Sequence, residues 1–322
     1  MVQVFEQVTM KPLNIKFVDS GESARPIILH ALSFDYDVQE SDTPSIVFFG
    51  DNRAARHKQF QKCLKIYVSI EYNYPNFNQC DYALSFLTLS THKNLRLPYY
   101  TWEDCGKDLI KSSNEWQKLI HEKNKFCAFV VKNDNPKRTW KRISFFHKLS
   151  KYKTVDSGGW ALNNIGYRVE NKLEFYKPYK FVIAFENKFN SEYTSEKIVH
   201  AMQSRCVPIY WGNPDVVREF NPKSFINLHD FKNDEDAIDH IIQVDQNPAL
   251  LEQYLREPFF YNNEINEWFD IQRLRNFLVK AIESPRTRRA LLGYIPFKWL
   301  DMKQEIQPYY EKIENMIKST IK

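Results

Sequence analysis

Residues 179–212, YKFVIAFENKFNSEYTSEKIVHAMQSRCVPIYWG, decide the fold. The run Phe181-Val182-Ile183-Ala184-Phe185 is apolar at every position, the pattern of a strand covered on both faces. It stops abruptly at Glu186 and Asn187. After a loop through Asn190, Thr194 or Ser195 stands as N-cap to a helix carrying Ile198, Val199, Ala201 and Met202. A second apolar strand, Val207 to Trp211, closes at Gly212, so the unit is strand, helix, parallel strand. Open sheets built from such crossovers bind ligands beyond the carboxyl ends of their strands.

Lys197 gives this unit its chemistry. A cation in the first helical turn opposes the macrodipole by roughly 0.3–1 kcal/mol. An anion shared between the ammonium and the free backbone N–H groups reverses that sign, so the pair suits a phosphate or diphosphate. Glu196 and Asn187 are of the type that meets ribose hydroxyls. A lysine turned to solvent satisfies the same spacing.

Phe185-Glu186-Asn187, Tyr193 to Lys197, Val207-Pro208-Ile209 and Phe220 to Ile226, in that order, resemble the signature of the α1,3-fucosyltransferases. The likeness extends upstream through Asp156-Ser157-Gly158-Gly159, Asn163-Asn164 and Gly166 to Arg142. Beyond that it reaches Pro75-Asn76-Phe77-Asn78, Asp81-Tyr82-Ala83 and Leu95-Arg96-Leu97-Pro98, so that most of 65–230 is covered. The resemblance implies an α/β fold of two Rossmann-like domains facing a cleft, the glycosyltransferase B architecture. It also implies GDP-fucose in the C-terminal half and inverting transfer to a sugar hydroxyl. It places Arg142, Gly158, Gly159, Glu186, Asn187, Tyr193, Glu196 and Lys197 in the donor site. Thr194-Ser195 stands where the family commonly has Val-Thr, and either hydroxyl remains available to cap the helix.

Working outward, apolar runs at Ile15 to Val18, Ile46 to Gly50, Leu64 to Ile70 and Tyr82 to Phe86 read as parallel strands of a first domain. A helix near Asn114 to His121 precedes the strand Phe126 to Val131, and the boundary is placed there: 1–122 as acceptor-binding domain and 123–300 as GDP-fucose-binding domain. Arg138 to Ser150 is helical by period, with Phe145, Phe146 and Leu149 three, four and seven residues beyond Arg142. Arg142 therefore faces inward, where its fork can take two phosphate oxygens or an internal carboxylate. Only eight glycines occur, and the adjacent Gly158 and Gly159 mark a close backbone approach. Two or three amphipathic helices over 234–283 are expected to complete the second sheet's coverage. The tail 301–322 carries Ile306, Tyr310, Ile313, Ile317 and Ile321 at helical spacing. It is expected to pack back on the first domain, with weak peripheral membrane contact as the alternative.

A length of 322 residues suits two cores. No run approaches the ~18–20 apolar residues of a membrane span, and the start lacks a signal-peptide pattern; the expectation is a cytoplasmic, bacterial protein. The net charge of +5 is dispersed, which argues against nucleic acid. The Arg286, Arg288 and Arg289 patch reads as a solvated turn or a contact with anionic lipid. Five scattered cysteines suggest neither disulfides nor zinc, and Cys127 and Cys206 read as small buried side chains. Asp35-Tyr36-Asp37 has the Asp-x-Asp form that elsewhere holds a divalent ion against a diphosphate, but it lies far from the donor motif. No obligatory metal or other cofactor is expected.

Direct inverting transfer needs one carboxylate to take the acceptor proton and cations to stabilise the leaving diphosphate. Glu71, just past a strand end in the domain opposite Lys197, is suited to reach across the cleft, and the family's proposed base also precedes the Pro-Asn-Phe-Asn segment at this distance. Glu186 is the alternative base. The expected substrates are GDP-fucose and a β-galactoside glycan such as N-acetyllactosamine, fucosylated at the 3-hydroxyl of N-acetylglucosamine or glucose; the alternatives are a related two-domain transferase using another nucleotide sugar, or an inactive nucleotide- or glycan-binding paralogue. The region from Tyr72 to Asp104 is expected to carry acceptor contacts.

Overall fold

The structure, a computed structural model, describes residues 10–51, 54–69, 71–133 and 136–284. The readings at the N-terminal start, the arginine patch after Pro285 and the tail 301–322 lie outside the described residues.

Six strands form the first sheet: β1 (Lys11–Val18), β2 (Tyr36–Glu40), β3 (Ile46–Phe49), β4 (Leu64–Val68), β5 (Tyr82–Ser85) and β6 (Asn94–Arg96). They run parallel in the order β2-β1-β3-β4-β5-β6. Alternation sends Leu64, Ile66 and Val68 of β4 to one face, against Ile28, Ala31 and Leu32 of α1 (Arg25–Leu32), while Tyr67 joins Val47, Phe49 and Ala83 on the other.

The chain then enters α2 (Glu115–Glu122), β7 (Lys125–Phe129), α3 (Pro136–Leu149), β8 (Val155–Ser157), α4 (Lys172–Tyr176), β9 (Tyr179–Phe185), α5 (Glu196–Gln203), β10 (Val207–Trp211) and β11 (Ile226–Asn227). The five strands form a parallel sheet in the order β11-β10-β9-β7-β8. On β9, Phe181, Ile183 and Phe185 face α3 and two following helices, α6 (Asp234–Gln246) and α7 (Pro248–Arg256). The intervening Val182 and Ala184 face the α4 and α5 side, where small Ala201 lets the helix lie close. Pro208 is tolerated inside the sheet because the pairing of β10 with the short β11 begins only at Ile209.

The helices do not divide as the expected boundary at 122 would have them. Trp116, Leu119 and Ile120 of α2 pack on the second sheet's core, so the crossover precedes residue 115. The last helix, α8 (Ile271–Glu283), places Leu274 and Leu278 in the core of the first sheet beside α1. Its apolar stripe was visible as a period of 3.6, but a period does not say which sheet the stripe meets.

A buried ion pair joins the halves. Arg96, at the end of β6, donates from Nη2 to Glu219 Oε1 at 2.5 Å and to the Glu192 carbonyl at 3.0 Å, with side chains 5% and 3% exposed across the pair. The guanidinium also lies 4.2 Å over the Trp268 ring. Removing one partner strands a buried charge, so Arg96→Ala is expected to cost on the order of 3–5 kcal/mol. Urea unfolding should show this loss beside a negligible one for Lys118→Ala, whose partner Glu122 is on the surface. Equal midpoints for the two variants would contradict it.

Lys111, in the connection between the sheets, is buried; it donates to the carbonyls of Leu255 at 2.9 Å and Glu257 at 2.6 Å and lies 3.9 Å over the Phe259 ring. Burial holds its ammonium well below the lysine range, at about 7. Between that value and the unfolded lysine value of about 10.4, the unfolded chain binds more protons at this residue. Its contribution to stability therefore rises with pH across that window and is flat below it. The wild-type unfolding midpoint should climb more steeply from pH 7 to 10 than that of Lys111→Met; parallel profiles would refute the assignment.

Candidate active site

Past the carboxyl ends of β4, β7 and β9 the chain lines one cleft of about 360 Å3, whose walls include Glu71, Arg142, Asn187, Glu196 and Lys197. Glu71 comes from the first domain. Its backbone carbonyl accepts from the buried Ser69 hydroxyl at 2.5 Å and from Asn73 N–H at 2.7 Å, which fixes the turn while the side chain stays exposed. Across the cleft the buried Tyr193 hydroxyl stands 3.5 Å from Glu71 Oε2. Burial, followed by the nearby Glu186 and Glu71, raises the Tyr193 phenol further above the tyrosine range, so it remains a donor.

The start of α5 is built differently from the expectation. Neither hydroxyl caps the helix: Ser195 occupies the N-cap position, but its Oγ donates to Glu186 Oε2 at 2.6 Å. Thr194 Oγ1 points away, to Glu219 at 3.2 Å. Glu186 Oε1 accepts the Ser195 N–H at 2.7 Å, and Oε2 also meets Lys197 Nζ at 3.2 Å. An anion thus already sits at the helix start, and it is the protein's own carboxylate. Burial pushes Glu186 up, against the pull of Lys197. Lys197 is held above the lysine range, because Glu186 and Glu196 together outweigh the opposing effect of burial. At Glu196 the neighbouring charges win as well: burial would raise it, but Lys197 and His200 hold it low.

Glu186 therefore lies beneath the cleft rather than in it, with its carboxylate taken by α5. It is not placed to act as a base or to meet a donor directly. Gly212 makes room for it: a Cβ there would fall 2.3 Å from Glu186 Cγ. Lys197 remains 26% exposed and reaches the cleft wall.

Arg142 is buried on the inward side of α3, as its period implied. Its Nη1 donates to Asn187 Oδ1 at 2.9 Å and its Nη2 to the Asn133 carbonyl at 2.5 Å. Its fork is thus aimed at the cleft end of β9. Gly158 and Gly159 line a separate cavity of about 280 Å3, which shares Val130, Val131, Lys132 and Lys172 with the cleft. The close approach they mark is internal, since a Cβ on Gly159 would lie 1.9 Å from the Val131 carbonyl oxygen.

Sequence reasoning missed Ser69, Asn133, Lys172 and His200. Each is a common polar residue without a motif: Ser69 and Asn133 follow β4 and β7, Lys172 opens α4 and His200 lies in α5. Asp35, of the Asp-x-Asp tripeptide, precedes β2 at the end of the sheet away from the cleft. Both its oxygens are taken by Arg275 at 2.7 Å. Among the described residues no group of three or more His, Cys, Asp or Glu could hold a metal ion. None of the five cysteines, all among the described residues, is in a disulfide, and burial pushes the Cys127 and Cys206 thiols up. No described helix is long and apolar enough to cross a membrane.

Two parallel sheets with their carboxyl edges turned to one cleft define the class: this is a glycosyltransferase B fold. The profile of the glycosyltransferase family 10 (fucosyltransferase) C-terminal region matches residues 120–275, and that of the α-(1,3)-fucosyltransferase FucT N-terminal domain matches 14–102. The chain belongs to the α1,3-fucosyltransferase family. It is 32% identical over 257 residues to the α-(1,3)-fucosyltransferase FucT of Helicobacter pylori, covering 68% of this chain and 53% of that protein. It is 26% identical over 180 residues to human 4-galactosyl-N-acetylglucosaminide 3-α-L-fucosyltransferase 9, covering 55% and 47%. It spans about half the length of these curated relatives. A crystal structure of an α1,3-fucosyltransferase superposes with a TM-score of 0.74 at 26% identity, covering 91% of this chain and 96% of that one. A crystal structure with GDP-fucose superposes with a TM-score of 0.71.

Proposed function

We propose that the protein transfers L-fucose from GDP-fucose to the 3-hydroxyl of N-acetylglucosamine or glucose in a β-galactoside glycan, with inversion and without an obligatory metal. The observation that carries this reading is the opposition of Glu71 to Arg142 and Lys197 across one cleft. Relatives named for α1,3-fucosyl transfer, and a similar structure with GDP-fucose, support the donor. The human relative's name supports the acceptor class.

In this reading Arg142 and Lys197 hold the diphosphate, and Asn187, Tyr193 and Glu196 meet the fucose or ribose. The Glu71 carboxylate takes the acceptor hydroxyl proton as the acceptor oxygen bonds to fucose C1. The C1–O bond to the diphosphate breaks on the opposite face, and its electron pair leaves with GDP. Charge on the departing diphosphate is met by two fixed cations rather than by a metal. The test is GDP release from GDP-fucose in EDTA, with and without N-acetyllactosamine, followed by product mass, linkage and anomeric configuration. A fucosylated α1,3 product in EDTA fits the reading; dependence on an added divalent ion would remove its metal-free part, and a different linkage its regiochemistry.

A further inference from the structure

The turn that carries Glu71 is tied to the rest of the first sheet through Asp51. The bonds from Ser69 and Asn73 to the Glu71 carbonyl close the turn on itself, which fixes its shape but not its direction. A second set of bonds runs to the neighbouring strand end. One carboxylate oxygen, Asp51 Oδ2, accepts from the Tyr67 hydroxyl and also from the Asn73 side-chain amide, the latter at 2.8 Å. Tyr67 lies on β4, four residues before Glu71, and Asn73 lies two residues after it. Asp51 thus grips the chain on both sides of Glu71.

The grip is itself anchored. Asp51 follows Gly50 at the end of β3, where the Gly50 N–H donates to the Asp19 carbonyl at 2.8 Å. The approach is close: a Cβ at residue 50 would fall 2.8 Å from that oxygen and 3.1 Å from the Val68 carbonyl oxygen. The buried Asp19 carboxylate accepts from the His57 backbone N–H and from its ring Nδ1, each at 2.8 Å. The His57 ring stacks on Phe49 at 4.0 Å, and Phe49 meets Tyr67 edge-to-face at 5.6 Å. Packing of three rings therefore fixes where the Tyr67 hydroxyl sits. Burial, followed by Asp51, raises that phenol further above the tyrosine range, so it remains a donor. Asp51 is not one of the described residues lining the cleft.

We infer that Asp51 is a positioning residue for fucosyl transfer, which aims the Glu71 carboxylate by tying its turn to the ends of β3 and β4. The inference rests on the reading of Glu71 as the base. It calls for an oxygen at this place and not for a charge, because an amide oxygen also has two lone pairs and accepts the same two bonds. A base displaced by about 1 Å loses on the order of a hundredfold in rate. The donor site, built from the second domain, is untouched by that displacement.

The experiment measures single-turnover transfer from GDP-fucose at saturating N-acetyllactosamine, and GDP affinity by calorimetry, on the full chain. Asp51→Ala should lower the transfer rate by roughly 10- to 100-fold, with GDP affinity within about twofold. Asp51→Asn should restore the rate to within about threefold of wild type, since its amide oxygen replaces Oδ2. Tyr67→Phe removes one of the two bonds and keeps the ring against Phe49. It should slow transfer by roughly 2- to 10-fold, the weight of one hydrogen bond, and it carries the test if Asp51→Ala does not fold. In a Glu71→Gln background Asp51→Ala should cost less than about threefold, because the group it aims is gone. A wild-type rate in Asp51→Ala overturns the inference, and so does GDP affinity falling in parallel. Asp51→Asn as slow as Asp51→Ala also overturns it, since a charge and not a tether would then be needed. A full further loss in the Glu71→Gln background shows that Asp51 does not act through Glu71, and the inference falls alone. Transfer by Glu71→Gln within about tenfold of wild type removes the base reading beneath it instead, whatever the Asp51 variants do.

Discussion

Glu71→Gln is expected to lower fucosyl transfer by ~10²–10⁴-fold, the usual contribution of a positioned general base, and to leave GDP affinity within about twofold. The substitution keeps the size of the side chain and an oxygen for the Tyr193 hydroxyl, which stands 3.5 Å away. It removes only the ability to accept a proton. Because the carbonyl of residue 71 is held by Ser69 and Asn73, the turn itself does not depend on the carboxylate. Glu71→Asp should also be slow, since the shorter side chain withdraws the carboxylate from the cleft. Single-turnover transfer and calorimetric GDP titration on the same preparations decide the matter. Transfer within tenfold of wild type for Glu71→Gln would place the base elsewhere.

Lys197→Ala should weaken GDP binding by roughly 10- to 100-fold, which corresponds to losing one charge-assisted contact of about 1.5–3 kcal/mol. A second effect follows from Glu186. Its carboxylate is buried and already pushed up, and Lys197 is the cation that opposes this. Without the lysine, Glu186 becomes an uncompensated buried charge, and the variant should unfold at lower urea concentration. The two effects separate in the pair Lys197→Met with Glu186→Gln. The double variant should recover much of the lost stability, because a neutral amide can still bond Ser195, but none of the lost affinity. Recovery of GDP binding in the double variant would mean that Lys197 merely neutralises Glu186 and does not hold phosphate.

Much of the second domain was legible because its signals are local. The all-apolar run of Phe181 to Phe185 can only be a covered strand, and the polar break at Glu186-Asn187 marks where it meets the cleft. The inward face of Arg142 followed from its spacing to Phe145, Phe146 and Leu149. What failed was chemistry that depends on a third body. Ser195 was read as an N-cap, and Lys197 with the free backbone N–H groups as a cradle for an anion from outside, whereas Glu186, nine residues earlier than Ser195, folds back to bond both residues. Period alone likewise could not assign α2 and α8, whose apolar stripes fit either sheet. The cleft at Glu71 is walled by the loops after β4 and β9 and by α3, which no local pattern brings together.

Leu274 and Leu278 come last among the described elements, yet they close the core that Ile15, Phe48 and Ile66 begin. During synthesis, therefore, the first sheet emerges long before the helix that covers it. It must wait, with an apolar face open, while the second domain is made. Order of synthesis and order of completion are reversed: the domain translated first is finished last. A chain stopped after residue 256 would carry every residue assigned to the cleft and still lack a closed first domain. The helix that closes the first sheet's core is thus made only after the whole second sheet.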